Sequence, residues 1–374
     1  MAEDSGILGG VEVTPEDLVE MQRGDYVLHG CGGGLTRVPV EKIQMPLDPE
    51  GHLQRLCLVT MTDGTVYAAQ HTIFSRSTDG GATWEHLERD PTPFGGWRLQ
   101  DAGDGRLLNI ASLPPHGIFI SADRGESWEQ TGQLDLPEGG STEIGFSVAR
   151  QGNGGLLVPL LHRQAQTTDD FGKVLSGANT CYICRSEDGG RIFAERAVLG
   201  DWCHEVNVVP LPSGRLLAVI RYQRGFLPDD PPDLGERTGA AVFGSSFPYK
   251  HVFVADSEDG GHTWSELRQL TKIFGQCYGS GVGLSGDRVV VVHDHRYPRE
   301  VGSGRAMVSR DGGRSWGDEV YYLNHDLVAG YAATVSLDGE EMLTLAGVAG
   351  GDAGDSWDNC VGNSRFSVIR WRLV

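Results

Sequence analysis

Short apolar runs separated by glycine turns recur along the chain and predict β-strands joined as hairpins. Residues 206–211 and 215–220 flank the turn Pro212-Ser-Gly214, and residues 56–61 and 65–69 flank a similar turn that ends at a glycine. Runs of this length, bounded by turn residues, are typical of buried strands rather than of helices. The pattern therefore predicts an all-β protein.

A second repeat has the form Ser-x-Asp-x-Gly-x-Thr-Trp or a close variant. Its five copies span residues 77–84, 121–128, 186–193, 257–264 and 309–316. In each copy the Asp carboxylate can accept local backbone N–H groups, and the Gly tolerates a positive φ, so the segment suits a tight turn. The closing aromatic residue is expected to anchor the turn by packing into a seam between strands.

The two repeats combine into one unit, in which two strands lead through a loop to a third strand, the repeated turn and a fourth strand. A four-stranded unit of this kind is one blade of a β-propeller. We count six units in a single domain spanning residues 1–374, at about 53–90, 96–133, 143–197, 204–270, 277–322 and 331–374. The last unit lacks a fourth strand, and a strand within residues 26–44 is expected to complete it and close the ring.

Composition narrows the range of partners. The formal net charge is -20, and lysine occurs at four positions, so there is no basic stripe to bind nucleic acid. The chain starts with an acidic segment and contains no long apolar run, which predicts a cytoplasmic protein without a membrane partner; a secreted protein whose signal peptide was removed is the alternative. The seven cysteines are an odd number and fit reduced thiols. Neither a metal nor another cofactor is expected.

The ends of the predicted strands indicate where a site would lie. The repeated turns join third to fourth strands and mark one face, so first strands begin and second strands end at the opposite face. The longest loops, residues 163–180, 222–250 and 294–304, are expected at that opposite face. Polar and aromatic residues that meet there include Arg55, His71, Trp97, His162, His204, Glu205, Arg221, Tyr278, His293, Asp294, Arg296 and Tyr331.

Two segments resemble the sialidase (neuraminidase) superfamily, whose members are six-bladed propellers carrying such Asp boxes. The stretch from Glu205 through Gly214 to Arg221 is similar to the segment that joins the family's assisting carboxylate to the second arginine of its carboxylate-binding triad. The segment around Tyr331 is similar to the one that bears the nucleophilic tyrosine. By position, Arg55 resembles the first arginine of the triad.

The resemblance leaves two roles open. The third arginine is Arg296, Arg299 or Arg305, all of which precede the fifth repeated turn. The family's general-acid Asp is missing, because no Asp lies between the second strand of the first unit and its repeated turn. Its replacement is expected to be His71 or Asp294, or one of the aspartates in the long loops: Asp169, Asp170, Asp229, Asp230 and Asp233.

The resemblance implies a sialidase-like exo-glycoside hydrolase that acts on an acidic, carboxylate-bearing sugar, with Tyr331 as nucleophile and Glu205 as its base. A tyrosine nucleophile is a known exception among glycosidases. Substrate binding is expected from the arginines together with Trp97, His162, His204, Tyr278 and His293. Two alternatives use the same face: a uronate-type polysaccharide lyase in which His or Tyr abstracts a proton, and a glycan-binding propeller without catalysis.

Overall fold

The apolar runs form antiparallel sheets that stand around a central channel as the six blades of a β-propeller. The first strand of each blade contacts the first strand of the next, and the last contacts that of blade 1, so the ring is closed. The computed structural model describes residues 13–46, 56–70, 73–87, 98–145, 147–170, 172–193, 195–326, 331–348 and 365–374.

Blades 1 to 3 each follow the order predicted for one unit. In blade 3 the first strand is interrupted, and the long loop after the second strand carries a small ribbon of its own, Thr167–Thr168 paired with Val174–Ser176. The strands are Leu56–Thr60, Val66–Gln70, Ile73–Ser77 and Glu85–Leu87 in blade 1; Leu99–Gly103, Arg106–Ile110, Gly117–Ser121 and Glu129–Gln133 in blade 2; and Ser141–Ile144 with Ala149–Arg150, Leu156–Arg163, Thr180–Ser186 and Glu195–Asp201 in blade 3.

Blades 4 to 6 carry the longer strands. The strands are Cys203–Pro210, Leu216–Arg224, Tyr249–Ser257 and Arg268–Gln269 in blade 4; Gly279–Leu284, Arg288–His295, Ser303–Ser309 and Val320–His325 in blade 5; and Ala332–Ser336, Glu341–Val348, Arg365–Arg372 and Glu41–Gln44 in blade 6. Short helices cover the loops: Leu234–Arg237, and the 3-10 turns Ala240–Phe243, Ser285–Asp287 and Arg299–Val301.

The N-terminal segment does more than close the ring. Helix Pro15–Arg23 begins at a capping box in which the Thr14 side chain accepts the Asp17 N–H, and none of the described helices is long and apolar enough to cross a bilayer. The hairpin Tyr26–Cys31 and Gly34–Pro39 then extends the outer edge of blade 5 to six strands. Only after this hairpin does the chain enter blade 6, so the segment protects two sheet edges instead of one.

Each repeated turn is held by the same hydrogen bonds. The Ser hydroxyl accepts the N–H of the glycine four residues later, at 2.8 to 3.0 Å in all five copies. The Asp carboxylate accepts the N–H of the residue four positions after it, at 2.8 to 3.0 Å. In the second copy, hydrogen bonds from Ser127 lower the pKa of Asp123 to about 2, so this carboxylate is ionised at neutral pH.

The glycine of these turns also connects neighbouring blades. Gly81 has φ +88°, and a Cβ there would lie 2.6 Å from Cδ1 of Leu343 in blade 6. The equivalent Gly190 and Gly313 lie in the same way against a leucine of the preceding blade, Leu108 and Leu217. The aromatic residue packs beside them, as Trp84 does against the shared core of blades 1 and 6. The repeat is therefore a contact between blades as well as a turn.

We predict that Gly81→Ala destabilises the protein more than Gly64→Ala does. Both glycines have positive φ, +88° and +83°, but Gly64 has no neighbour within 4 Å. Alanine in this conformation costs about 1 kcal/mol at either position, whereas Gly81→Ala adds overpacking against Leu343, which costs about 1–3 kcal/mol more. Urea unfolding of the two variants measures the difference. Equal losses would show that the contact between blades contributes nothing.

Candidate active site at the channel mouth

Three predicted residues from two blades meet at the mouth of the channel. The Tyr331 hydroxyl donates a hydrogen bond to Glu205 Oε1 at 3.0 Å. Arg221 Nη1 lies 2.8 Å from both oxygens of Glu205 and 3.1 Å from the Tyr331 hydroxyl. Glu205 and Arg221 lie on the first and second strands of blade 4, and Tyr331 directly precedes the first strand of blade 6. The two strand ends face each other across the channel.

Burial and the neighbouring positive charges shift the pKa values of Tyr331 and Glu205 in opposite directions. Burial raises the pKa of Tyr331 above its ordinary value and the Glu205 charge raises it further, while Arg221 and Arg296 lower it. Burial also raises the pKa of Glu205, but Arg221, His204 and Arg296 outweigh it, so the net pKa is lowered. At neutral pH the site therefore contains a protonated phenol hydrogen-bonded to an ionised carboxylate, which is the arrangement of a weak nucleophile and its base.

Arg296 supplies a second guanidinium beside the tyrosine. Its guanidinium carbon lies 5.7 Å from the centroid of the Tyr331 ring, and its Nε donates a short hydrogen bond to Asp294. Asp294 is fully buried and also accepts the backbone N–H groups of Cys277 and Tyr278, at 2.7 and 2.9 Å. These hydrogen bonds occupy both carboxylate oxygens of Asp294, so it is unsuited to the proton-donor role expected from the sequence. Its position instead orients Arg296.

The guanidinium groups of Arg221 and Arg296 each have one N–H donor without a partner among the described residues. Arg221 Nη2 donates to Gln223 Oε1 at 2.8 Å, but Arg221 Nε and Arg296 Nη2 are buried and have no hydrogen-bond partner among the described residues. Buried polar groups in proteins almost always find a partner. Two unsatisfied cationic donors next to one tyrosine therefore indicate a place for an anionic ligand.

Two neighbouring residues, Tyr278 and Cys277, have roles at this site that the sequence analysis did not predict. Tyr278, expected to bind substrate, is buried; its ring centroid lies 4.5 Å from that of Tyr331, and its hydroxyl donates to the Ala332 carbonyl at 3.0 Å. It supports Tyr331 from below. Cys277 was not singled out: its thiol lies 3.8 Å from Asp294, and burial raises its pKa to about 11, so it is a neutral neighbour of the ion pair.

The three candidates for the third arginine lie at different places in blade 5. Arg296 directly follows the second strand, Arg299 begins a 3-10 turn, and Arg305 lies on the third strand. Arg305 is buried, with its Nε donating to Ser303 Oγ at 3.0 Å and its guanidinium 4.9 Å from the Tyr322 ring centroid. Arg296 has its guanidinium beside the Tyr331 ring, which favours it for this role.

The predicted histidines stabilise the backbone of separate blades. His162 pairs with the Gly139 carbonyl at 2.8 Å, His204 with the Gln223 carbonyl at 3.0 Å, and His293 with the Asp294 carbonyl at 2.8 Å. Burial lowers the pKa of His293 to about 4. His204 alone adjoins Glu205. Within the described part of the chain no three His, Cys, Asp or Glu side chains are grouped to hold a metal ion.

Three predicted site residues, Arg55, His71 and Trp97, lie outside the described residues. Only residues 71–72 separate the second and third strands of blade 1, so a long acid-bearing loop does not fit there. Of the loop aspartates, Asp230 is held by both terminal nitrogens of Arg224, at 2.6 and 2.7 Å. An ion pair of this geometry keeps the carboxyl deprotonated, which is unsuited to proton donation.

A cavity of about 510 Å³ lined by described residues opens at the other end of the channel. Its charged side chains pair with each other, because Arg150 Nη1 lies 3.0 Å from Asp101 and 3.2 Å from the Thr62 hydroxyl. Arg150 leaves one buried nitrogen, Nε, without a hydrogen-bond partner among the described residues, whereas the opposite mouth has two such donors, Arg221 Nε and Arg296 Nη2, beside the Tyr331–Glu205 pair. The candidate active site is therefore assigned to the opposite mouth from its reactive groups and not from cavity size.

Comparison with known proteins shows the fold. No family model and no curated protein sequence matches the chain. A solved structure of a protein of unknown function from Dyadobacter fermentans shares 17% identity over 89% of this chain and 98% of its own, with a TM-score of 0.60. The Hadza microbial sialidase Hz136 shares 16% sequence identity over 90% of this chain and 69% of its own, with a TM-score of 0.57. An intramolecular trans-sialidase from Ruminococcus gnavus shares 13% sequence identity over 86% of this chain and 94% of its own, with a TM-score of 0.54.

These values place the chain in the six-bladed propeller fold of the sialidases. The predicted fold class and the sialidase-like architecture are therefore confirmed. At 13 to 17% identity, the likeness extends to the fold and not to the reaction.

We predict that Arg221→Met raises the pKa of Glu205 above the ordinary glutamate value of about 4.3, because burial then acts with its main opposing charge removed. Carboxyl ¹³C NMR titration measures this pKa, with Glu205→Gln to assign the signal. Arg224→Met is the matched control, since Arg224 lies on the same strand but pairs with Asp230. An unchanged Glu205 pKa in Arg221→Met would contradict the electrostatic coupling.

Proposed function

We propose that the protein is a glycoside hydrolase that releases a terminal, carboxylate-bearing sugar from a glycan, with Tyr331 as nucleophile and Glu205 as its base. The observation that carries this proposal is the 3.0 Å hydrogen bond from the Tyr331 hydroxyl to a Glu205 carboxylate that Arg221 also contacts. A phenol and a carboxylate at this distance are in reach for direct proton transfer.

The chemistry follows from the charges. A neutral phenol can approach an anomeric carbon that bears a carboxylate, whereas an anionic nucleophile would be repelled by that carboxylate. As the phenolic oxygen bonds to the anomeric carbon, its proton passes to Glu205, the bond to the leaving oxygen breaks, and the departing oxygen takes a proton from solvent. Water then attacks the anomeric carbon and the glycosyl-tyrosine bond breaks. Glu205 returns its proton to the departing phenolic oxygen, and the proton lost by the attacking water passes to solvent.

Recognition of the acidic sugar is assigned to Arg221 and Arg296. Their unsatisfied Nε and Nη2 donors lie near Tyr331, and guanidinium groups bind carboxylates with paired, charge-assisted hydrogen bonds. Asp294 serves this clamp indirectly, because it holds Arg296 from behind. A positive site also concentrates an anionic substrate locally against the overall charge of -20.

The structural neighbours support the same reaction class. Two of them are described as a sialidase and an intramolecular trans-sialidase, and both share the propeller on which this site is built. Neither of the alternative functions gains a specific observation. His162, His204 and His293 pair with backbone carbonyls on blades 3 to 5 instead of converging as a lyase base would require.

We predict that Tyr331→Phe, Glu205→Gln and the double variant lose a similar factor in kcat, about 10²–10⁴-fold, because nucleophile and base act as one unit. Turnover of the 4-methylumbelliferyl glycoside of N-acetylneuraminic acid, read by fluorescence, measures this. Tyr182→Phe, which changes a tyrosine of blade 3 beside Arg196, is the control.

The outcomes separate the candidate functions. Full activity of Tyr331→Phe would reject the nucleophile. Absence of turnover in the unaltered chain would reject the hydrolase. Absorbance near 235 nm on incubation with a uronate polymer would instead identify β-elimination and the lyase, since elimination leaves a conjugated double bond. Thermal unfolding of each variant guards against misfolding, because Glu205→Gln leaves buried Arg221 without its carboxylate.

We further predict that aryl glycosides are cleaved much faster than alkyl-linked glycans, by about 10²-fold or more. An aryl leaving group needs little protonation, and no described carboxyl is placed as a general acid beside Tyr331. The kcat/KM ratio for an aryl and an alkyl glycoside of the same acidic sugar measures this. Equal values would show that a proton donor is present after all.

A further inference from the structure

Lys250 is a third cation at the channel mouth, and sequence reasoning did not select it. In blade 4 it lies directly opposite Gln223 in the strand register, so the two side chains share a face, with Cβ atoms about 5 Å apart. Gln223 in turn accepts a hydrogen bond from Arg221 at 2.8 Å. One intervening side chain therefore separates Lys250 from the guanidinium that contacts Tyr331.

Aromatic rings surround the lysine on its other side. The ammonium lies 5.6 Å from the Phe247 ring centroid and 5.9 Å from that of Phe274. Phe274 stacks with Tyr297 at 6.1 Å, and Tyr297 directly follows Arg296. Lys250 is therefore linked through neighbours to both arginines of the site.

The lysine has no anionic partner in the described part of the chain. The nearby carboxylates are Glu205 and Asp294, and each is already paired with an arginine. Burial lowers the pKa of Lys250, and Arg296 and Arg221 lower it further, while Cys277 and the more distant charge of Asp294 raise it. Three cations against two carboxylates leave one positive charge that an anion from outside would neutralise.

The loop next to Lys250 exposes apolar side chains. Val242, Phe243 and Phe247 are 80%, 44% and 36% exposed. Phe243 is held in place by stacking on Tyr297 at 4.7 Å and on Phe274 at 5.6 Å. Exposed rings that are fixed beside a cation form a surface with one apolar and one charged part, which marks an interaction site.

We propose that Lys250, Phe243 and Phe247 form a second sugar subsite, which binds an acidic sugar on the leaving-group side of the bond that is cleaved. The rings pack against the apolar face of the sugar, and the ammonium pairs with its carboxylate. This inference rests on the proposed function. It deepens that function by assigning the substrate class: glycans in which two successive sugars each carry a negative charge.

The position of Lys250 favours a second sugar over the one held at Tyr331. Lys250 lies on the third strand of blade 4, and Arg221 lies on the second. Arg221 is opposite Val252 in the register, so Lys250 is its diagonal neighbour, about 7–8 Å away. The third strand lies farther from the channel, so Lys250 lies on the outer side of the arginine clamp, where the remainder of a glycan would leave the site.

The test compares α2,8-linked di-N-acetylneuraminic acid, which has an acidic leaving sugar, with 3′-sialyllactose, whose leaving sugar is neutral. In Lys250→Met the kcat/KM ratio of diacid to monoacid is expected to fall about tenfold, the value of one modest charge-assisted contact. Lys250→Arg keeps the positive charge, so its kcat/KM ratio of diacid to monoacid should stay close to that of the unaltered chain. Lys272→Met removes an exposed lysine as the matched control and should leave the ratio unchanged.

A binding measurement separates failure of this inference from failure of the proposed function. Calorimetric affinities of Tyr331→Phe for both glycans need no turnover. Preference for the diacid that is lost with Lys250→Met supports the subsite even if the unaltered chain cleaves neither glycan. Equal affinities for diacid and monoacid, or a preference that survives Lys250→Met, would overturn it.

Discussion

Contact between the first strands of blades 6 and 1 closes the ring and sets the geometry of the molecule. Pairing of strand Glu41–Gln44 with strand Arg365–Arg372 completes the last blade with a segment from the other end of the chain. Tyr331 and Glu205 are 126 residues apart and belong to blades 6 and 4. The strands that carry them are not neighbours in any sheet. The 3.0 Å contact between them therefore exists only while all six blades keep their places around the channel. Ring closure is thus a condition for the site as well as for stability.

The repeated turns, which lie at the face opposite the candidate site, hold neighbouring blades in position. Each turn satisfies its own backbone through a serine and an aspartate and inserts a glycine against the preceding blade. Such a contact tolerates no added atom, since interiors are packed as tightly as crystals and a Cβ at Gly81 would overlap Leu343. The two faces therefore differ in role. One face supplies rigid contacts between blades, and the other carries the candidate site, in which Arg221 and Arg296 stay incompletely paired among the described residues.

That incomplete pairing characterises the site. Arg221 and Arg296 each satisfy one carboxylate, yet each retains a buried donor without a partner among the described residues, and Lys250 has no described carboxylate within ion-pair distance. Unsatisfied buried donors and uncompensated charge cost stability, and under the proposed function an anionic sugar would satisfy them. The net charge of the chain is negative, which would confine the attraction of an anion to this mouth.

The sequence alone determined the strand pattern, the five turns and the propeller, because each of these depends on short-range spacing that repeats or is locally constrained. Glu205, Arg221 and Tyr331 became candidates through the resemblance of their segments to the sialidases. Only the tertiary structure decided that Arg296 and not Arg305 adjoins Tyr331, that Asp294 orients an arginine, and that the N-terminal hairpin covers blade 5. It also brought Lys250 to the mouth. The physical reason is that these roles depend on which strands lie side by side and which face each side chain takes, and a shift of one residue in register reverses that face.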